Sequence, residues 1–169
     1  MSEKQWLEQN IHYETIDEKK LESIFYFSLV WNIFEKECCD KYAEIRFHPR
    51  CLAKLLSDKV DITIIDGVFI YFKNRYVATT KINSIFNNFQ FGRENNDGQV
   101  YKDFTRKVLI NHHPSSQEKL QALLYIAFRL RNNLFHGIKE VEKLYEQNEN
   151  FKQINSLLIA IIEQKSYCR

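Results

Sequence analysis

Residues 115–137 read SSQEKLQALLYIAFRLRNNLFHG, and this stretch decides the fold class. Ser115 stands three residues before Glu118, which is the spacing of a capping box: the hydroxyl accepts a backbone N–H, and the carboxylate reaches back to the start of the helix. Leu120, Leu123, Leu124, Ala127, Phe128, Leu130, Leu134 and Phe135 then supply an apolar face at helical spacing. Gly137 follows, where a left-handed residue commonly closes a helix. The pattern predicts one helix over 116–136, about 31 Å long at ~1.5 Å per residue. His112, His113 and Pro114 end the segment before it.

Working outward, a last amphipathic helix runs from about Asn150 to Gln164, through Phe151, Ile154, Leu157, Leu158 and Ile161. Near the start, Thr15 with Glu18 has capping-box spacing, and Asp17 is a second candidate start. A helix is predicted over about 17–39, its stripe being Leu21, Ile24, Phe25, Ser28, Leu29, Asn32 and Ile33, widened by Phe27, Val30 and Phe34. Pro49 suits a first helical turn, with a short helix over Arg50 to Ser57. Asp61 to Ile65 is β-branched and weakly alternating, so a strand is open there. Asp66 to Val77 is read as helix, and Val100 to Ile110 as another. Thr80 to Phe91 is ambiguous, and Gly92 to Gly98 is a loop on turn chemistry.

Bulk composition agrees with a helical reading. The chain has 169 residues, four Gly and two Pro, too little punctuation for a sandwich or barrel. We expect one domain over 1–169: an all-α, compact helical bundle with at most a minor extended segment near 60–65. Lys and Arg number 24 against 22 Asp and Glu, a net charge of +2. That balance calls for a focused site rather than a basic coat if nucleic acid is bound. Cys38, Cys39, Cys51 and Cys168 form no CxxC pair and are read as reduced thiols. Met1 to Glu22 is polar and unlike a signal peptide, and no apolar run approaches the ~20 residues of a membrane span. A cytoplasmic protein with no membrane contact is expected.

Arg131, Asn132, Asn133 and His136 are polar groups in the last turns of the most apolar helix. Asn132 and His136 are i,i+4 neighbours on one face. Arg131 lies about 140° round from His136, within reach of that face from its edge. A helix C-terminus favours a cationic histidine, whereas a nearby arginine opposes it, so the pair suits acid–base work near neutrality. The same helix end repels phosphate, and the planar fork of Arg131 is the group available to reverse that.

The run Arg131-Asn132-Asn133-Leu134-Phe135-His136 resembles the Arg-x4-His signature of the HEPN superfamily, compact α-helical domains of toxin–antitoxin, abortive-infection and CRISPR-associated proteins. The closing Gly137, the short charged stretch and the final amphipathic helix extend the likeness. So do Tyr71 to Tyr76 and the loop from Phe91 to Asp97, which together bring it to roughly residues 60–165. The resemblance implies metal-independent RNA cleavage without a cofactor, in a site composite across a homodimer formed through the 116–136 helix. Arg131 would then hold the scissile phosphate, His136 would be the general acid or base, and Asn132 would orient one of them. It also implies a toxin or anti-phage effector, with an antitoxin or defence-system protein as partner. Toxins paired with a nucleotidyltransferase antitoxin usually carry Tyr two residues after the His. Here that position is Ile138, so the modification scheme is not carried over.

Plainer readings stand beside these. His136 can be a C-cap histidine, and Arg131 can pair with a carboxylate such as Glu140. Lys73, Arg75, Tyr76 and Arg93, with Asn133 and Lys139, are candidate RNA contacts, or else solvated charges on half-buried elements. Adjacent His112 and His113 side chains diverge, and no metal site is expected. The alternative functions are a non-catalytic HEPN-like module that docks a partner or nucleotide, and an antitoxin or immunity protein.

Overall fold

The computed structural model describes residues 1–10, 17–89, 91, 96–135 and 144–164. The described elements run α1 (Glu3–Asn10), α2 (Glu18–Cys38), α3 (His48–Leu56), α4 (Ile62–Tyr76), β1 (Val77–Ala78), β2 (Lys81–Ile82), α5 (Ser84–Asn87), α6 (Asn96–Ile110), α7 (Ser116–Phe135) and α8 (Asn148–Glu163). The fold is all-α.

The organising element is α7. Its N-terminus carries the anticipated capping box. Glu118 N–H donates to Ser115 Oγ at 3.3 Å, and Ser115 N–H and Oγ–H donate to Glu118 Oε2 at 2.8 and 2.9 Å. Two charge-assisted bonds hold the Glu118 carboxyl below its ordinary pKa. Beyond the cap, Leu120 and every residue from Ala122 to Leu130 are buried. A helix buried all round is a central one, so the single apolar face expected for 116–136 is too narrow a description. α3, α4 and α6 pack around α7, and α2 reaches it through Trp31 and Phe34, whose rings lie 5.0 and 6.5 Å from that of Phe128.

α2 and α8 pack along each other. Phe27 meets Phe151 at 4.8 Å between centroids. Asn148 Oδ1 accepts from Ser23 N–H at 3.2 Å, and Asn155 Nδ2 donates to Ser23 O at 2.8 Å. The buried row of α2 is Leu21, Ile24, Phe27, Trp31, Phe34 and Cys38. This corrects the expected stripe: Phe25, Leu29 and Ile33 are 55%, 64% and 47% exposed. The helix is apolar on nearly every side, so periodicity alone could not choose the face that α8 covers.

The strand considered at 61–65 is not formed. Asp61 caps α4, accepting from Thr63 N–H and Oγ1–H, both at 2.8 Å. Ile65, Val68, Phe69, Phe72 and Tyr76 are buried at helical spacing, and that burial outweighs β-branched propensity. The extended segment comes later, as a two-stranded antiparallel ribbon with Val77 opposite Ile82 and Ala78 opposite Lys81. Its turn places Thr79 at φ 59°, a costly conformation for a β-branched residue.

Other boundaries shift modestly. α6 starts at Asn96, so the end of the expected 92–98 loop is helical, while 92–95 lie outside the described residues. Asp17 is the cap of α2, accepting from Lys19 N–H at 3.1 Å; Thr15 lies outside the described residues. α1 was not anticipated. It is started by Ser2 and Gln5, which exchange bonds of 2.9 and 3.3 Å in capping-box fashion. Cys38 and Cys39 are free thiols, as expected, and both are buried, whereas Cys51 is disulfide-bonded, which corrects the all-reduced reading.

Candidate functional site at the C-terminal turns of α7

Polar side chains enter α7 at Arg129, and the character of the helix changes there. Arg129 is only 8% exposed, and among the described residues its Nε has no hydrogen-bond partner. Burial alone pulls its guanidinium below the ordinary pKa. Asn133, four residues on, is also 8% exposed, with Oδ1 unpartnered. Arg131 and Asn132 are half-buried, and Arg131 Nη1 donates to Asn132 Oδ1 at 3.3 Å. Arg131, Asn132 and Asn133 therefore gather within one turn, at the end of the central helix. His136, Gly137, Lys139 and Glu140 lie outside the described residues, as does Arg93.

The upstream candidates do not form one surface. Tyr76 is 2% exposed, with its ring among Phe72, Phe86 and Phe89 at 5.7, 5.4 and 5.6 Å. A base cannot stack on it, so its assignment as an RNA contact is withdrawn. Burial pushes its hydroxyl upward in pKa against the opposing charge of Arg75. Lys73 Nζ donates to Asn111 O at 3.0 Å and sits 5.9 Å from the Phe69 ring centroid. Arg75 is half-buried beside the Tyr71 and Tyr76 hydroxyls. Both cations serve neighbouring structure in this arrangement.

Two further residues emerge that sequence reasoning passed over. Arg129 was hidden inside an apolar run, although its i,i+3,i+4 relation to Asn132 and Asn133 was available as a signal. His48 is 6% exposed at the start of α3, with Nδ1 accepting from Glu44 N–H at 2.9 Å. Burial lowers its pKa and favours the neutral ring. It belongs to the α3 boundary and is not part of the α7 cluster.

The predicted dimer helix has little surface to spare. From Leu120 to Leu130 nearly all of α7 is covered by its own chain, which leaves surface at its N-terminal turn and, partly, at Arg131, Asn132 and Leu134. No helix among the described residues is long and apolar enough to cross a membrane. Comparison with family models, characterised proteins and solved structures finds no match, so the reading of this helix end rests on its own residues and geometry.

Proposed function

We propose that the chain is an endoribonuclease of HEPN type, in which Arg131 and His136 act on the scissile phosphodiester. The observation that carries the proposal is the half-buried Arg131–Asn132 pair at the end of an otherwise apolar central helix. A cation near a helix C-terminus also steadies the helix dipole, and the Arg131–Asn132 bond goes further by fixing the direction of that guanidinium.

In the proposed reaction the RNA 2′-hydroxyl loses its proton to a general base and attacks the adjacent phosphorus. The 5′-oxygen of the next nucleotide leaves and takes up a proton, giving a 2′,3′-cyclic phosphate and a 5′-hydroxyl end. His136 serves one of the two proton transfers. Arg131 balances the charge that builds on the phosphoryl oxygens, and Asn132 fixes the direction of the Arg131 fork. The chemistry needs no metal or cofactor. A second copy meeting the C-terminal turns of α7 would supply the other proton-transfer group, and a toxin or anti-phage role, held in check by a partner protein, accords with such an activity.

The test is RNA cleavage by purified protein in EDTA, beside Arg131→Ala and His136→Ala. Each variant is expected to lose at least a hundredfold in rate, with Tm nearly unchanged. A folded wild-type protein that leaves RNA intact under all conditions would sink the proposal.

One observation favours a second reading, a non-catalytic docking module. Phe25, Leu29 and Ile33 form an exposed apolar row along α2. Robust cleavage that is lost in His136→Ala would remove this reading.

A further inference from the structure

α2 has two apolar faces, and its own chain uses one of them. Phe27, Trp31 and Phe34 are buried and turn towards α8 and α7, through the rings of Phe151 and Phe128. The opposite side carries Phe25, Tyr26, Leu29 and Ile33, all exposed, Leu29 most of all at 64%. At ~100° per residue these four lie within about 60° of the direction of Leu29. Glu22 and Lys36 stand on the same line, seven residues before and seven after Leu29, and both are exposed. A continuous row of this kind marks a contact surface, unlike apolar residues scattered singly. A groove of about 530 Å³, lined by Glu18, Lys19, Glu22, Phe25 and Tyr26, adjoins its first turns.

The row is symmetric in position about Leu29 and opposite in charge at its ends. Phe25 and Tyr26 stand four and three residues before Leu29, and Asn32 and Ile33 stand three and four after it. When two copies of α2 lie antiparallel about a two-fold axis at Leu29, each residue comes level with the one equally far on the other side. Leu29 then meets the partner's Leu29. Phe25 and Tyr26 stand level with the partner's Ile33 and the partner's Asn32, and Glu22 stands level with the partner's Lys36 at both ends. A parallel pair would instead set glutamate against glutamate and lysine against lysine, which costs stability. Within its own copy Lys36 Nζ reaches Glu37 Oε1 at 3.0 Å, with side chains 69% and 42% exposed. An ion pair so open to water contributes little and leaves Lys36 able to turn to a second carboxylate.

We infer that the outer face of α2 binds a second copy of this chain, helix against helix, antiparallel about Leu29. A two-fold contact requires a surface that complements itself, and opposite charges at equal distances from an apolar centre meet that requirement. A partner of different sequence would call for no such symmetry. The row from Glu22 to Lys36 is about 21 Å long at ~1.5 Å per residue. Two helices meeting over that length make an interface at the small end of the specific class, so the dimer is a reversible one. The groove beside Phe25 and Tyr26 lies at the level where the partner's Ile33 enters. Because α7 packs on the opposite side of α2, this contact holds the two α7 helices on the outer sides of the pair. It is therefore separate from any meeting of α7 ends, and it does not rest on the ribonuclease reading.

The test is sedimentation equilibrium of the full chain from about 5 to about 300 μM, where wild type is expected to pass from monomer to dimer. Leu29→Glu sets two carboxylates against each other at the two-fold axis and is expected to weaken the dimer about a hundredfold or more. Leu29 is open to solvent in the single copy, so the circular dichroism of this variant should match wild type. Lys36→Glu and Glu22→Lys are each expected to weaken the dimer roughly tenfold, and the double variant to restore it, since the swap re-forms both end pairs. That rescue is the signature of the antiparallel register. A wild type that stays monomeric throughout overturns the inference and leaves the row to a partner of other chemistry. A folded Leu29→Glu that still dimerises moves the contact to another face, the ends of α7 included, and overturns it equally. Single reversals without effect, or a double variant as weak as the singles, overturn the antiparallel pairing.

Discussion

The two halves of α7 obey different rules. From Leu120 to Phe128 the helix is buried on every side, and its aromatic residues have ring partners: Tyr125 against Tyr101 and Phe104, Phe128 against Trp31 and Phe34. From Arg129 to Asn133 the helix is buried at Arg129, Leu130 and Asn133 and half-buried at Arg131 and Asn132, and among the described residues Arg129 Nε and Asn133 Oδ1 have no hydrogen-bond partner. Native interiors satisfy nearly all buried polar groups; such atoms also occur at Trp31, Arg75 and Asn155, but those of Arg129 and Asn133 lie one turn apart on one helix. The first half is shaped by packing. The second places charged and amide groups at a helix end, and the proposed function gives them a role there.

Substitution should separate the halves sharply. Phe128→Ala removes a fully enclosed ring from the junction of α2 and α7, and leaves Trp31 and Phe34 facing a cavity. A loss of about 3–5 kcal/mol is expected, read from urea denaturation. A loss below about 1 kcal/mol would mean that the two helices do not pack as described. Arg129→Leu should have the opposite sign. Among the described residues it breaks no ion pair, and it removes a desolvated charge, so a gain of about 1–3 kcal/mol is expected in the same measurement. A loss of that size would reveal an internal partner for Arg129 and erase the contrast between the halves.

This contrast also explains what could be read from the sequence. The Ser115 cap, the span of α7 and the run of α8 are local patterns, set by residues within a few positions of one another, and they were legible. The buried face of α2 was not, because Phe25, Leu29 and Ile33 are as apolar as Phe27, Trp31 and Phe34, and only the placement of α8 distinguishes them. Ile62 to Ile65 looked extended through its β-branched residues. The Asp61 cap and the burial of Ile65 and Phe69 decided for helix, and burial is a tertiary fact. At the candidate site, Arg131 and Asn132 were legible as a motif. The burial of Tyr76 and the isolation of Arg129 were not, since both depend on which helices surround them.

The smallest effect worth measuring lies at the other end of α7. Ser115→Ala removes the hydroxyl that accepts Glu118 N–H, and one of the two groups donating to the Glu118 carboxylate. Loss of such a cap costs about 1 kcal/mol. The effect is also pH-dependent, and its sign is fixed by the direction of the Glu118 shift. The folded-state carboxyl titrates below its unfolded value, so the unfolded chain binds more protons in the interval between them. The Glu118 contribution is present above the unfolded pKa and is lost as pH falls through the folded one. Wild type and Ser115→Ala should therefore differ most near neutral pH and converge in acid, because the variant has less of this contribution to lose. RNA cleavage per folded molecule should be unchanged, since the cap stands at the packing end of the helix. A Ser115→Ala protein that keeps its Tm but loses cleavage would show that the two ends of α7 are coupled, and the division of the helix into a packing half and a chemical half would fail.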